Sequence, residues 1–180
     1  MKPQQVLDFW FGEQARPLWW EKSERFDALV RATLGAAHEA AAAGALHGWQ
    51  EAAEPCLALV ILLDQVPRNI HRDTPRAFAT DAKARAVARI GIERRFDAGF
   101  DADRRMFLYL PLEHSEDLAD QELLVELVRE RVGPGTYLDF AERHRDIIRR
   151  FGRFPHRNAI LGRPSTEDEV EFLKQPGSSF

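Results

Sequence analysis

Between Ser23 and Ala43 the apolar residues fall at Phe26, Leu29, Val30, Thr33 or Leu34, and Ala37, the spacing of an amphipathic helix. Ser23 supplies a cap and Gly44 a stop. Pro55 suits the first turn of a second helix through CLALVILLDQ, which shows no polar face for two turns and so belongs at the centre of a core. Pro67 is expected to end or kink it. Asp73 or Thr74 with Pro75 opens a short helix, and Thr80/Asp81 caps another through about Arg94. Asp103 starts a helix through RRMFLYL, stopped near Pro111. Ser115 and Glu116 lead into a helix ending near Val132, before Gly133-Pro134-Gly135. Thr136 begins the next, through Ile148 to Phe151, and Thr166-x-x-Glu169 is a capping box in front of VEFL.

No stretch alternates with strand period. The pattern predicts an all-α protein, with about eight helices in antiparallel pairs joined by short loops. It reads as a single helical domain over 1–180, with the tail QPGSSF as a flexible end. A weak echo recurs 49 residues apart, LALVILL-DQVPRN and then MFLYLPL-EHSED. No tetratricopeptide consensus is readable at a 34-residue period.

Composition narrows the class. A chain of 180 residues, 44% hydrophobic and 30% charged, can bury a core without staples. The net charge of −4 argues against a general nucleic-acid binder, which carries a strongly basic domain. The longest apolar run, Cys56–Leu63, has eight residues where a membrane span needs ~20. The N-terminus MKPQQVLDFWFG lacks the apolar core of a secretory signal. The lone Cys56 sits in that apolar run as a buried hydrophobe of a reducing compartment. Together these predict a cytoplasmic protein.

Against that acidic background the basic residues are 21 arginines and 4 lysines, so the arginine positions carry information. Three polar clusters stand out. The first is Asp64, Gln65, Arg68 and Asn69, where the four-residue spacing of Asp64 and Arg68 allows pairing on one helix face. The second is Glu113, His114, Ser115, Glu116 and Asp117, with Ser115 a candidate N-cap. The third is Arg153, His156, Arg157, Asn158 and Arg163 in FGRFPHRNAILGR. From Ile147 to Thr166 there are five arginines and no acid. Gly152 would close the preceding helix, and Phe151 and Phe154 would anchor the loop in the core. His144 lies on the apolar stripe Tyr137, Phe140, Ala141, Ile148 and Phe151, where a histidine is a hydrogen-bonded core residue.

The segments FWFG, LDQVPRNIHR, LPLEHSED and RFGRFPHRNAILGR resemble the bacterial family DUF924, from Phe9 through the C-terminal segment. The resemblance implies an all-helical, tetratricopeptide-like superhelix. It supplies no mechanism and no established catalytic residues.

Three functions remain open on these residues. One is a binding module whose groove, lined by Asp64, Gln65, Arg68, Asn69, Arg153, His156, Arg157, Asn158 and Arg163, holds an anionic small molecule or acidic peptide. Arginine forks suit carboxylate and phosphate, and N–H groups at a helix start in NAIL would add to the field. A second is a hydrolase-type enzyme with His114 or His156 as acid/base, Glu113 or Asp64 as orienting carboxylate, and arginines stabilising negative charge. A third is a purely structural ion network. Walker, GxGxxG, GxSxG, HExxH and CxxC motifs are absent. Spacing alone demands no metal of Glu113, His114, His144 and His156. Four tryptophans within the first 50 residues, Trp10, Trp19, Trp20 and Trp49, are expected in the core.

Overall fold

A computed structural model of the chain describes residues 1–179. Among these residues there are eight α-helices and no strand, so the protein is all-α as the periodicity predicts. They are α1 (Pro3–Trp10), α2 (Glu24–Ala42), α3 (Ala53–Ile70), α4 (Asp81–Glu93), α5 (Ala102–Glu113), α6 (Leu118–Arg131), α7 (Thr136–Phe151) and α8 (Glu167–Leu173). The short helix expected at Pro75 is a 3-10 turn, Pro75–Phe78, and α1 takes its place in the count. Its eight residues bury Val6, Leu7 and Trp10 on one side. The chain divides into two compact units, Met1–Arg72 with Arg76–Pro111, and Asp73–Pro75 with the residues from Leu112 onward.

In the first unit α3 is the central element, packed against α1, α2 and α4. Its side chains from Cys56 to Pro67 are all buried, which is why the sequence shows no polar face there. Burial pushes the Cys56 thiol up to about 11, so it stays protonated. Ser23 caps α2 by accepting from the Phe26 amide, and Phe26, Val30, Leu34 and Ala37 are buried, while Leu29 is exposed. Close approach to α4 requires a glycine. A Cβ at Gly91 would stand 3.0 Å from Leu108 Cδ1 and 3.2 Å from Cys56 Sγ.

Two prolines lie inside their helices. Pro67 does not end α3, which continues to Ile70. A proline at 67 cannot donate to the carbonyl of Leu63. The hydroxyl of Thr80 donates to that oxygen instead, at 2.5 Å, so Thr80 serves α3 and not, as expected, as the side-chain cap of α4. Pro111 lies inside α5, two residues before its end, where the missing N–H costs one bond, to the Phe107 carbonyl.

The aromatic N-terminus is only partly core. Trp10 is 1% exposed, edge-on to Phe107 at 5.8 Å, whereas Trp20 lies parallel to the Phe107 ring at 5.6 Å and is 61% exposed. Tryptophan burial therefore holds for Trp10 and fails for Trp20.

The second unit packs α6 against α7 around Ile147, Ile148 and Phe154, with Leu118, Phe151 and Phe172 at the edge. Gly152 closes α7 with φ +69°, a left-handed conformation that favours glycine. Thr166 and Glu169 form the expected capping box of α8. The cap of α6 is Asp117, which accepts from the Ala119 amide; Ser115 instead donates to Asp120 at 2.6 Å. Asp120 stands within the first turn of α6, so the hydroxyl bridges into that turn from outside it. The tail is tied by Ser178, which is buried and donates to the Leu173 carbonyl. Phe180 lies outside the described residues.

Candidate functional site

The first polar cluster finds its partners inside the first unit. Arg68 pairs with Asp64 at 3.3 Å, as the four-residue spacing predicts, but its fork is directed to Asp81, at 2.9 and 3.0 Å. Burial alone would lower the Arg68 pKa; the two carboxylates reverse this and hold the guanidinium charged. Asp64 is fully buried, with Gln65 donating to it at 2.7 Å. Asn69 donates to Asp27 at 2.8 Å, and Arg72 adds two bonds of 2.7 Å to the same carboxylate. Burial would raise the Asp27 pKa; the Arg72 and Asn69 bonds outweigh it and lower it.

The second and third clusters meet in the second unit. Arg163 binds Glu116 through both terminal nitrogens, at 2.7 and 2.9 Å, and donates from Nε to Asn158 Oδ1 at 3.0 Å. The Phe154 amide donates to the same Glu116, at 2.8 Å. Burial would raise the Glu116 pKa, but these donors lower it. Arg153 grips Glu169 at 2.6 and 2.8 Å, and Glu169 also accepts from the Thr166 amide and from Asn158. The Arg153 bonds, above all, hold the Glu169 carboxyl at about 2. No helix begins in NAIL. Pro155–Arg157 is a 3-10 turn and 158–162 a further turn, so no α-helix N-terminus points its amides there.

Arg157 belongs to the same loop. It is 7% exposed, lies over the Phe154 ring at 4.5 Å and donates to the His114 carbonyl at 2.9 Å. Around it stand histidines. Burial, reinforced by Arg157 and His114, lowers His156 to about 4; Glu116 opposes the shift. His144 is lowered to about 3, mainly by burial, with His114, His156 and Arg157 adding to it. Its Nδ1 is 2.8 Å from the Phe140 carbonyl and 3.7 Å from Glu113 Oε1. The result is the hydrogen-bonded core histidine that its place on the apolar stripe predicts. Gln121 braces the start of this region, its amide donating to the carbonyls of Glu113 and Ser115 at 2.7 Å.

An open cleft of about 420 Å³ lies beside the Arg153–Glu169 pair, lined by Arg150, Phe151, Arg153, Thr166, Asp168 and Glu169. Its two arginines are matched by two acids, so it carries no surplus charge.

Sequence reasoning missed Asp27, Arg72, Asp81 and Glu169 as the carboxylate and arginine partners, because each is far along the chain from the group it meets. It also missed His38, Glu39 and His71, whose ligand atoms all lie within 4.8 Å of one another. The available signal was His38 falling four residues after Leu34 on the buried face of α2.

The model of the family described as "Bacterial protein of unknown function (DUF924)" matches residues 6–177. A solved structure of a protein of unknown function from Agrobacterium tumefaciens is 44% identical, with 96% of each chain covered and a TM-score of 0.91. No curated protein matches the chain.

Proposed function

The chain belongs to the DUF924 family, and from that premise we propose that it is a helical binding protein whose second unit takes an anionic group, carboxylate or phosphate, at Arg157. Arg153–Glu169 and Arg163–Glu116 act as the frame. They fix both ends of the loop 153–163, and their charges are matched within it. Arg157 is the guanidinium that this frame presents beside His114 and His156. The observation that carries the reading is the setting of Arg157: a buried guanidinium that donates to the His114 carbonyl, lies over the Phe154 ring and adds to the burial that lowers the His156 pKa. An incoming anion would offset that charge and gain a charge-assisted bond. The tetratricopeptide-like arrangement and the residues Asp64, Gln65, Arg68 and Asn69 belong to the same reading as scaffold. No long apolar helix able to cross a membrane occurs among the described residues.

The hydrolase reading is less well supported. A general base works best with a pKa near the operating pH, and His156 at about 4 falls well below it. A thermal-shift series with inorganic phosphate, acetate and an acidic peptide tests the proposal: at least one should raise the melting temperature in a saturable manner, and a flat response to all three would refute it.

A further inference from the structure

In the first unit, α2 and the C-terminal end of α3 bring together His38, Glu39 and His71, three residues of the types that bind divalent transition metals. His38 is 4% exposed, and its Nδ1 stands 2.8 Å from the carbonyl oxygen of Leu62. A carbonyl can only accept, so Nδ1 carries the proton and the lone pair resides on Nε2, across the ring. This is the outer-shell arrangement that orients a metal-binding histidine: one ring nitrogen donates to a backbone carbonyl, and the other is left for the ion. His71 follows α3 as its C-terminal cap residue, and its ring centre is 6.0 Å from that of His38. Burial, with Arg76, His38 and Arg31 beside it, lowers the His71 pKa. Glu39, on the exposed side, supplies a carboxylate that lies 3.2 Å from Arg76.

We infer that His38, His71 and Glu39 form a binding site for a late first-row divalent cation, with zinc as the reference ion. Two imidazoles and one carboxylate are three of the four ligands of a tetrahedral zinc centre, and the fourth position faces solvent beside Glu39. Ligand atoms around such a centre stand about 3.3 Å apart, given bonds of about 2.0–2.1 Å. The observed separations, all within 4.8 Å, close to that value by side-chain rotation of Glu39 and His71, the two less buried members. The opposing charges are Arg76, which competes for Glu39, and Arg31, which donates to the Ile70 carbonyl at the end of α3. A soft–borderline imidazole set with one carboxylate selects zinc, cobalt, nickel or copper over magnesium and calcium, which prefer all-oxygen shells. The site is independent of Arg157 and stands or falls apart from it.

The experiment is a calorimetric titration of the chelator-treated full chain with zinc, paralleled by cobalt titration followed in the visible spectrum. One equivalent of zinc should bind, and cobalt should give the intense absorption of a four-coordinate centre. Glu39→Gln and His71→Asn change the less buried side chains, so both should fold, and each should weaken zinc by roughly 10–100-fold or more. Arg76→Ala should strengthen it by removing the competitor for Glu39. His156→Gln, in the other unit, should leave it unchanged. Absence of zinc binding to the wild type would overturn the inference, as would binding that survives Glu39→Gln and His71→Asn but is lost in His156→Gln.

Discussion

Arg163 holds Glu116 in a two-bond fork, and the same carboxylate receives the backbone amide of Phe154. One acid thus ties the segment before α6 to both ends of the loop that follows α7. Glu116→Gln keeps the shape but weakens three bonds to a charge, and should cost roughly 1–3 kcal/mol, read from the urea midpoint. Arg163→Gln should cost a similar amount. The double variant should cost clearly less than the sum, because the two changes remove the same interaction.

The pH dependence is dominated by the most strongly lowered groups, the histidines His144 and His156 and the carboxylate Glu169. His144 at about 3 and His156 at about 4 lie below the ordinary value of 6.5, so the unfolded chain binds protons first. Their neutral packing is intact above pH 6.5, and stability falls as the pH drops from 6.5 toward 3–4. Glu169 at about 2 adds a second loss, between 4.5 and 2. Melting temperatures should therefore decline from pH 6.5 downward, well before carboxylates titrate. His156→Gln should flatten the upper part of that decline. A curve flat to pH 5 would contradict the assignment.

Thr80 completes α3 across the gap left by Pro67. Thr80→Val keeps the volume and strands the Leu63 carbonyl, at a cost of about 1–3 kcal/mol by urea unfolding. Thr80→Ser retains the hydroxyl and should lose much less.

The elements legible in the sequence were those with local causes. Ser23, Gly152 and the Thr166–Glu169 box mark ends through bonds three or four residues long, and they act as read. Pro67 misled because its effect depends on what lies elsewhere, the Thr80 hydroxyl that reaches the Leu63 carbonyl 17 residues back. Ser115 misled because its hydroxyl accepts from the Asp117 amide and donates to Asp120, while Asp117 takes the cap position. In the candidate site the spacing exposed Asp64–Arg68, a pair on one helix, but not Arg68–Asp81, Arg153–Glu169 or Arg163–Glu116, which span 13, 16 and 47 residues. Long-range pairing leaves no periodic trace in one sequence, so the density of arginine in 153–163 showed where charge collects without showing what answers it.

The account rests on Arg157 as the group that meets an anion. Calorimetric titration of wild type and Arg157→Gln with inorganic phosphate and an acidic peptide tests it directly, with circular dichroism to establish that the variant is folded. Saturable binding by the wild type, weakened at least roughly 30-fold in Arg157→Gln, is the expected result. Failure of the wild type to bind either probe, or equal binding by a folded Arg157→Gln, would contradict it and make the cluster part of the scaffold alone.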